Sequence, residues 1–322
     1  MKTPNSTHSG IVVRYSKESN PPWDNRYTTV IYECEIPWIM DVTILGSGSP
    51  IPDPTRAGTA VAVDCGTETA LVDCGPGTVE RMLETEIEPQ SIEHLLFTHQ
   101  HMDHNASFFH FVISSWLLGR RDLELYGPAE TETLLEAMYR LYETDFEYRE
   151  SLGRSLDGLN DIETNEVGPD FSTHIGDCRI TAFPVDHSIE TYGYRFDDKN
   201  TGESFVFSGD TTVVDGLADF ASGANVLVHD CCVGPLVDTP PSDKPVWDKF
   251  FDPDGQYLDR LGEVHSNPAE CGEVATAANV DTLVLTHLTP YLDTEQMRRE
   301  AKQTFDGTVL LAEDGLTLQS PL

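Results

Sequence analysis

The chain has 322 residues, of which 55 are acidic and only 20 are lysine or arginine, so its formal net charge is −35. Hydrophobic residues make up 39% of the chain, which is enough to bury one large core or two small ones. The small number of basic residues argues against a protein that binds nucleic acid through a basic surface. The acidic excess is typical of proteins from a salt-rich cytoplasm, where salt screens the repulsion between like charges. We expect a halophilic source, with an ordinary acidic mesophilic protein as the alternative.

The sequence carries no recognisable export or membrane signal. Residues 1–10 are polar, and no apolar run approaches the length of a membrane span. The cysteines are odd in number, 7 in all, and none forms a C-x-x-C pair, which favours reduced thiols over a disulfide framework. We therefore expect a cytoplasmic protein without a membrane partner.

The first 39 residues differ in charge from the rest of the chain. Their lysines and arginines balance their acidic residues, so the whole negative excess lies in residues 40–322. Two interpretations stay open for this N-terminal extension. It is either an added arm or extra strand, since residues 27–34 are β-prone, or the product of a start site assigned too far upstream. The main domain would then span residues 40–322.

Apolar patterns along residues 40–322 alternate between strand and helix periodicity, which indicates layered α/β packing. Strands are predicted at 41–45, 59–64, 69–73, 94–98, 123–126, 178–183, 192–196, 204–207, 225–229, 282–286 and 309–312. Helices are predicted at 78–86, 105–118, 129–148, 213–220, 268–278 and 294–305. The 105–118 helix is mostly apolar, so it is expected to pack in the core, with a wall of the substrate pocket as the alternative.

Two segments look like insertions. Residues 129–161 begin with a long acidic helix that carries aromatic side chains, and residues 235–261 form a loop rich in proline and aspartate. Long loops in a compact domain are often functional lids, so these segments could shape a small-molecule pocket. Packing of a surface loop by its own aromatic residues, or a dimer contact, is an equal alternative.

The most informative segment of the chain is residues 98–104, Thr-His-Gln-His-Met-Asp-His, which directly follows an apolar run. Neutral imidazole and carboxylate groups are good ligands for zinc and similar divalent ions. Alternate residues of an extended segment point the same way, so His99, His101 and Asp103 can converge while His104 turns to a neighbouring position. The spacing predicts a metal site.

Together with landmarks elsewhere, this segment resembles the H-x-H-x-D-H signature of the metallo-β-lactamase fold superfamily. The landmarks follow in the expected order: a glycine-rich turn at 45–50, a strand ending in an Asp-x-Gly turn at 71–75, and later segments at 184–187, 207–211 and 285–287. The resemblance covers roughly residues 40–318. It implies an α/β fold of four layers, an αββα sandwich, with metal ions at one edge of the two sheets.

The resemblance also implies which residues bind metal. His99, His101 and His187 would hold one ion, Asp103, His104 and His287 the other, and Asp210 would bridge them. Two divalent cations about 3.5–4 Å apart repel each other, so a shared carboxylate is needed between them. Water bound to such an ion has a pKa of about 7, which makes a hydroxide nucleophile available that Asp103 is a candidate to orient. Zinc is the first expectation, with manganese or iron as alternatives.

Within the superfamily, the sequence is most similar to the branch that contains the tRNA 3′-processing endonucleases (ribonuclease Z) and certain arylsulfatases. The likeness rests on Gly46-x-Gly48 followed by Pro52 and Arg56, on residues 192–195, and on His265-Ser266 before the 268–278 helix. In the nuclease family the histidine matching His265 helps to bind the scissile phosphate and protonate the leaving group, assisted by the acid matching Asp230. Imidazole suits proton transfer because its pKa lies near neutrality. The alternative for His265 is a helix-entry residue without a catalytic role.

Three departures weigh against tRNA processing. Only residues 196–204 separate the strands between which the nucleases carry a long flexible arm. Pro76 stands where the nucleases usually have an acidic residue, and basic residues are scarce. The sequence therefore favours a two-metal hydrolase of a small-molecule ester (phosphodiester, sulfate ester, carboxylic ester or lactone) that uses a metal-bound hydroxide.

Two alternatives to this small-substrate hydrolase stay open. RNA is a disfavoured partner, and a tRNA 3′-endonuclease without its arm is the first alternative. A non-hydrolytic di-iron protein is the second, although the sequence shows no flavin-type glycine signature. Homodimers are common by resemblance, and the oligomeric state stays open.

Overall fold

Two mixed β-sheets lie at the centre of the computed structural model, which describes residues 12–14, 40–237 and 260–319. The strands are β1 (Val12–Arg14), β2 (Val42–Gly46), β3 (Ala60–Asp64), β4 (Thr69–Val72), β5 (Ile92–Leu96), β6 (Glu124–Gly127), β7 (Glu163–Glu166), β8 (Ser172–Ile175), β9 (Cys178–Val185), β10 (Thr191–Asp198), β11 (Ser204–Phe207), β12 (Val226–Asp230), β13 (Thr282–Thr286), β14 (Thr308–Leu311) and β15 (Leu316–Gln319). The first sheet has the order β1-β15-β2-β3-β4-β5-β6-β7, and the second has the order β14-β13-β12-β11-β10-β9-β8.

Helices cover the outer face of each sheet. They are α1 (Thr78–Glu84), α2 (Met102–Asn105), α3 (Phe108–Leu118), α4 (Glu130–Ser151), α5 (Leu217–Phe220), α6 (Pro268–Ala278) and α7 (Thr294–Ala301), with a 3₁₀ turn at Pro89–Ser91. Side chains of α1, α3 and α4 pack on the first sheet, and those of α5, α6 and α7 pack on the second. In the described part of the chain, no helix is both long and apolar enough to cross a membrane.

The central strands are apolar on both faces because both faces are covered. In β2, Val42 and Ile44 lie in the core between the sheets, whereas Leu45 faces the helices. In β12, Val226 and Val228 likewise lie between the sheets, and the alternate residues face the helices. Such two-sided burial produces continuous apolar runs in place of polar alternation. The predicted αββα sandwich is confirmed.

Parallel strands bring the predicted site motifs of the sequence to one edge of the sandwich. Strands β4 and β5 are parallel to each other, as are β11, β12 and β13. The carboxyl ends of parallel strands meet at the same sheet edge, where α/β proteins commonly bind ligands. The segments that follow these five strands carry most of the predicted site residues.

The predicted elements differ from the structure mainly at the sheet edges. No strand was predicted at the positions of β1, β7, β8 and β15. Strands β7 and β8 end their sheets and are largely polar, so they lack the apolar pattern that marks a central strand. The predicted 105–118 helix is divided into α2 and α3, and the predicted 213–220 helix shortens to α5.

The structure bears on parts of the extension and of both insertions. In the extension, β1 pairs antiparallel with β15, whereas the β-prone residues 27–34 lie outside the described residues. Helix α4 belongs to the outer helix layer, since its Leu135 and Met138 are buried in the core against the first sheet. Most of the 235–261 loop lies outside the described residues.

Candidate metal centre

Three of the predicted ligands form the first cluster, at the edge where β5 and β9 end. The Nε2 atom of His99 lies 3.0 Å from Nδ1 of His101, and Nε2 of His187 lies 3.2 Å from the same atom. Ser188, the next residue, approaches Nε2 of His101 at 3.3 Å. The three imidazoles thus converge within the distance that a single bound ion would span.

The second cluster contains Asp103 and His104 from α2 and His287 from the end of β13. The Nε2 atom of His287 lies 3.1 Å from Oδ2 of Asp103, and Nε2 of His104 lies 3.5 Å from the same oxygen. His287 has a left-handed backbone, with φ of 58°, at the turn that leaves β13. A non-glycine residue in that region is strained, and such strain is common at ligand sites.

Asp210 lies between the two clusters. Its Oδ2 atom is 3.3 Å from Nε2 of His104, 3.4 Å from Nε2 of His287, and 3.9 Å from Nε2 of both His99 and His187. One carboxylate oxygen therefore faces imidazoles of both clusters. This is the arrangement required of a bridging ligand.

The chemistry of the donors fits divalent ions. Burial lowers the pKa of His99 well below its usual value and also lowers the pKa of His101 and His187, so these rings stay neutral, the form that binds metal. In the second cluster burial would lower the pKa of His104, but the carboxylates of Asp210 and Asp73 raise it to about 10. In the second cluster, the proton on His104 offsets the negative charge of the carboxylates, and a bound cation would replace that proton.

A second observation supports this fit. The Nε2 atom of His104 is buried and has no hydrogen-bond partner among the described residues. A buried polar nitrogen without a partner is costly. The atom faces Asp103 and Asp210, where an ion would lie.

Asp73 contacts the ring of His104 on the side away from the two clusters' carboxylates, a role that was not predicted from the sequence. It follows β4 with φ of 60° and accepts hydrogen bonds from the backbone N–H (2.8 Å) and the hydroxyl (2.8 Å) of Thr98. Its Oδ2 atom also lies 2.7 Å from Nδ1 of His104. A carboxylate at Nδ1 keeps the proton there and leaves Nε2 free to bind metal.

His265 and Asp230 lie beside the second cluster. The Nδ1 atom of His265 lies 2.7 Å from Oδ2 of Asp230, which also accepts the backbone N–H of Thr211 at 3.0 Å. Burial alone would raise the pKa of Asp230, but the adjacent His265 holds it below its usual value. The His265 ring packs between those of His187 and His287, with centroid distances of 4.9 and 5.2 Å.

The position of His265 also fits its structural alternative in part. It lies two residues before the N-cap of α6, Asn267, which forms a capping box with Glu270. The capping itself uses Asn267, so His265 has no part in it. Its side chain is directed toward the metal centre.

The connection between β10 and β11 is a tight turn. The backbone N–H of Gly202 donates to the Asp198 carbonyl at 2.9 Å, and the Asp198 side chain accepts from the N–H of Asn200 and Thr201. Five residues, 199–203, make the whole connection. The structure therefore has no arm at the position where the nucleases carry theirs, as the sequence indicates.

Two histidine and carboxylate clusters that share one aspartate, at the edge of an αββα sandwich, define a metallohydrolase of the metallo-β-lactamase type. Residues 68–288 match the β-lactamase superfamily domain. The chain is 31% identical to ribonuclease Z of Mycobacterium bovis over 285 residues, which are 86% of this chain and 96% of the relative. It is 32% identical to ribonuclease Z of Mycobacterium avium over 287 residues, 86% of this chain and 96% of the relative.

Solved structures show the same fold. The metallo-β-lactamase fold protein YhfI of Bacillus subtilis has a TM-score of 0.65 at 23% identity, over 86% of this chain and 98% of its own. The short form of human tRNase Z has a TM-score of 0.63 at 23% identity, over 88% of this chain and 100% of its own. The chain belongs to the β-lactamase superfamily, is ribonuclease Z-like, and is a metal-dependent hydrolase.

Proposed function

We propose that the protein is an RNA phosphodiesterase of the ribonuclease Z type, which removes 3′ extensions from precursor tRNA. The likeness to ribonucleases Z over 86% of the chain supports RNA as the substrate. The preference for a small-molecule ester, expected from the sequence, has no such support. The single structural observation behind the proposal is the His265–Asp230 pair, 2.7 Å between Nδ1 and Oδ2, beside the metal clusters.

In this proposal two divalent ions, zinc by preference and manganese or iron as alternatives, are held by two sets of residues that share Asp210. The first set is His99, His101 and His187, and the second is Asp103, His104 and His287. Such ions polarise a phosphodiester and provide a nucleophile at neutral pH. Asp103 would help to orient that nucleophile in addition to binding metal.

The protein's own contribution to bond cleavage would come from His265. Asp230 fixes its Nδ1 atom, so the other ring nitrogen is free to meet the substrate. His265 would give a proton to the leaving oxygen while Asp230 stabilises the imidazolium that precedes the transfer. A general acid of this kind contributes about 10²- to 10⁴-fold to a rate.

The surface charge sets the conditions under which RNA could bind. Arg120, one of the few basic residues, is only 2% exposed and donates to Ser115 within the protein, so it is not available for phosphate. Long-range repulsion between an acidic protein and RNA weakens as salt shortens the Debye length to about 3 Å at 1 M. We therefore propose that RNA cleavage requires concentrated salt, in a cytoplasmic protein of a halophile.

A second candidate is hydrolysis of a small phosphodiester by the same residues. The observation that favours it is the five-residue connection between β10 and β11, which leaves no arm to hold the body of a tRNA. The chemistry of the centre would be the same. Only the substrate would differ.

The test is cleavage of a 3′-extended precursor tRNA by zinc-loaded protein in molar KCl, with an activated small phosphodiester in parallel. His265→Ala is compared with His174→Ala, which removes an exposed imidazole in β8 at the edge strand of the second sheet. Cleavage at the 3′ end of the tRNA, lost in His265→Ala and kept in His174→Ala, supports the proposal. Turnover of the small ester with intact tRNA favours the second candidate, and turnover of neither contradicts both.

A further inference from the structure

A thiol at the edge of the metal centre takes no part in the proposed reaction. Cys232 comes two residues after Asp230 and is only 1% exposed. Its sulfur lies within 4.8 Å of a ring nitrogen of His265 and of His287. Its backbone N–H donates to Oδ1 of Asp230 at 3.1 Å, and its carbonyl accepts the hydroxyl of Thr289 at 3.2 Å, so its position is fixed from two sides.

An unpartnered nitrogen lies in the same place. The Nδ1 atom of His287 is buried and has no hydrogen-bond partner among the described residues. The nearest carboxylate oxygen, Oδ1 of Asp230, is 3.4 Å away. The Nε2 atom of His287 meanwhile faces Asp103 and Asp210. His287 thus presents Nε2 to the proposed ion cluster and, on its other side, Nδ1, which carries the ring proton when Nε2 binds an ion.

We propose that Cys232, His265 and His287 form an inhibitory site for a thiophilic divalent cation, Zn²⁺ or Cd²⁺, next to the two-ion centre. Sulfur and imidazole donors are the ligands that Zn²⁺ takes in tetrahedral sites, with water as a fourth ligand. Mg²⁺ and Ca²⁺ prefer oxygen ligands and would not compete. Asp210 and Asp230 lie in one cluster with His265 and His287, and their negative charge offsets the added cation.

Binding would exchange two protons for the cation. A cysteine thiol has a pKa of about 8.5, so it carries its proton at neutral pH before a cation binds. The sulfur–hydrogen bond breaks as the sulfur–metal bond forms, the nitrogen–hydrogen bond at Nδ1 of His287 breaks as that nitrogen binds the cation, and both protons leave to solvent. No electron is transferred, and no other reactant is needed.

The consequence for activity rests on the proposed role of His265. A His265 ring bound to the third cation through either nitrogen cannot form the imidazolium that gives a proton to the leaving oxygen. The loss of turnover should then approach the contribution of a general acid, about 100-fold or more. The binding site itself does not depend on the proposed function.

The test adds Cd²⁺ to protein loaded with two equivalents of Zn²⁺. Cadmium–thiolate bonds absorb in the ultraviolet through sulfur-to-metal charge transfer, whereas the ligands of the two-ion centre are imidazoles and carboxylates, which do not. We expect this band to saturate at one equivalent of Cd²⁺. Turnover of whichever phosphodiester the enzyme cleaves should fall in the same titration.

Two matched variants test whether the sulfur that binds Cd²⁺ is that of Cys232. Cys232→Ala should lose the band and its sensitivity to Cd²⁺, measured relative to its own rate without Cd²⁺. Cys231→Ala removes the adjacent buried thiol, which packs in the core between the second sheet and its helices, and should keep both responses. Zinc content of two equivalents verifies that each variant is folded, and Cys232→Ser replaces Cys232→Ala if the latter fails this check.

Three results would overturn the proposal: no band at one equivalent, an unchanged band in the Cys232 variant, or a band without loss of turnover. The charge-transfer band needs no substrate. It therefore decides whether the site exists even if the protein leaves RNA intact, which separates failure of this inference from failure of the proposed function.

Discussion

Two histidine–aspartate pairs in this protein have the same geometry and different surroundings. In one, Nδ1 of His104 lies 2.7 Å from Oδ2 of Asp73, and in the other Nδ1 of His265 lies 2.7 Å from Oδ2 of Asp230. Each aspartate comes at the carboxyl end of a central strand and is buried. The pairs differ in what the second ring nitrogen faces.

In the first pair, Nε2 of His104 is enclosed and faces the carboxylates of Asp103 and Asp210. In the second pair, His265 is 7% exposed and its ring lies between the rings of His187 and His287. In the proposed function, the same aspartate contact would prepare one histidine to bind an ion and the other to meet a substrate. The surroundings, and not the pair itself, determine the expected role.

The largest effect is expected for Asp210, which lies next to the first pair and is proposed to hold both ions together. Asp210→Ala removes the oxygen shared by four imidazoles, so we expect loss of bound metal and of activity to background. Metal content by mass spectrometry and turnover, measured on one preparation, check the prediction. Retention of two ions would refute the bridging role.

The next largest effect separates the two histidines. His265→Ala should keep both ions and slow turnover by about 100-fold or more, because it removes only a proton donor. His104→Ala should lose an ion, because it removes a ligand of the second cluster. Both variants are checked by measuring their metal content and, at saturating metal, their kcat. Equal metal loss in both variants would show that the pairs do not differ in role.

A smaller effect is expected from the aspartates. Asp73→Asn keeps the shape of the side chain but can offer an N–H to Nδ1 of His104, which disfavours the tautomer that binds metal. Replacing such a partner typically lowers metal affinity by about 10- to 100-fold. Asp230→Asn should weaken metal binding less and lower kcat at saturating metal. Metal titrations followed by activity distinguish the two, and the reverse order of effects would contradict the comparison.

The residues of the 99–104 segment can be predicted as metal ligands from their spacing, whereas the other ligands of this centre cannot. His99, His101, Asp103 and His104 follow one strand within six residues, so their spacing alone predicts a metal site. His187, Asp210 and His287 were predicted from family resemblance, because each is a single polar residue at a strand end. The meeting of Asp210 and His287 depends on the parallel registers that join β11, β12 and β13, which no local pattern specifies.

The roles of Asp73 and Cys232 could not be predicted from the sequence. An aspartate after an apolar strand has the same local pattern whether it terminates the strand or orients a histidine 31 residues later. The sequence around Cys232 predicts only a small buried side chain, and its position beside His265 and His287 is visible only in the structure. The polar edge strands β7 and β8 were missed for a related reason, since their pairing is fixed by the neighbouring strand rather than by their own apolar residues.

The smallest effect on the two pairs is expected from salt. Salt should act on the exposed carboxylates much more than on the buried histidine–aspartate pairs. Raising KCl from low to molar concentration shortens the Debye length from about 10 Å at 0.1 M to about 3 Å at 1 M, which screens repulsion among exposed carboxylates. With a net charge of −35, the free energy of unfolding should rise by about 2–3 kcal/mol, seen as a Tm increase of about 3–5 °C. Buried pairs are screened much less, so the ratio of wild-type to His265→Ala turnover on a small phosphodiester should change by less than about twofold. A Tm indifferent to salt would overturn the halophilic interpretation, and a ratio that falls strongly with salt would show that His265 acts through exposed charge rather than from a buried pair.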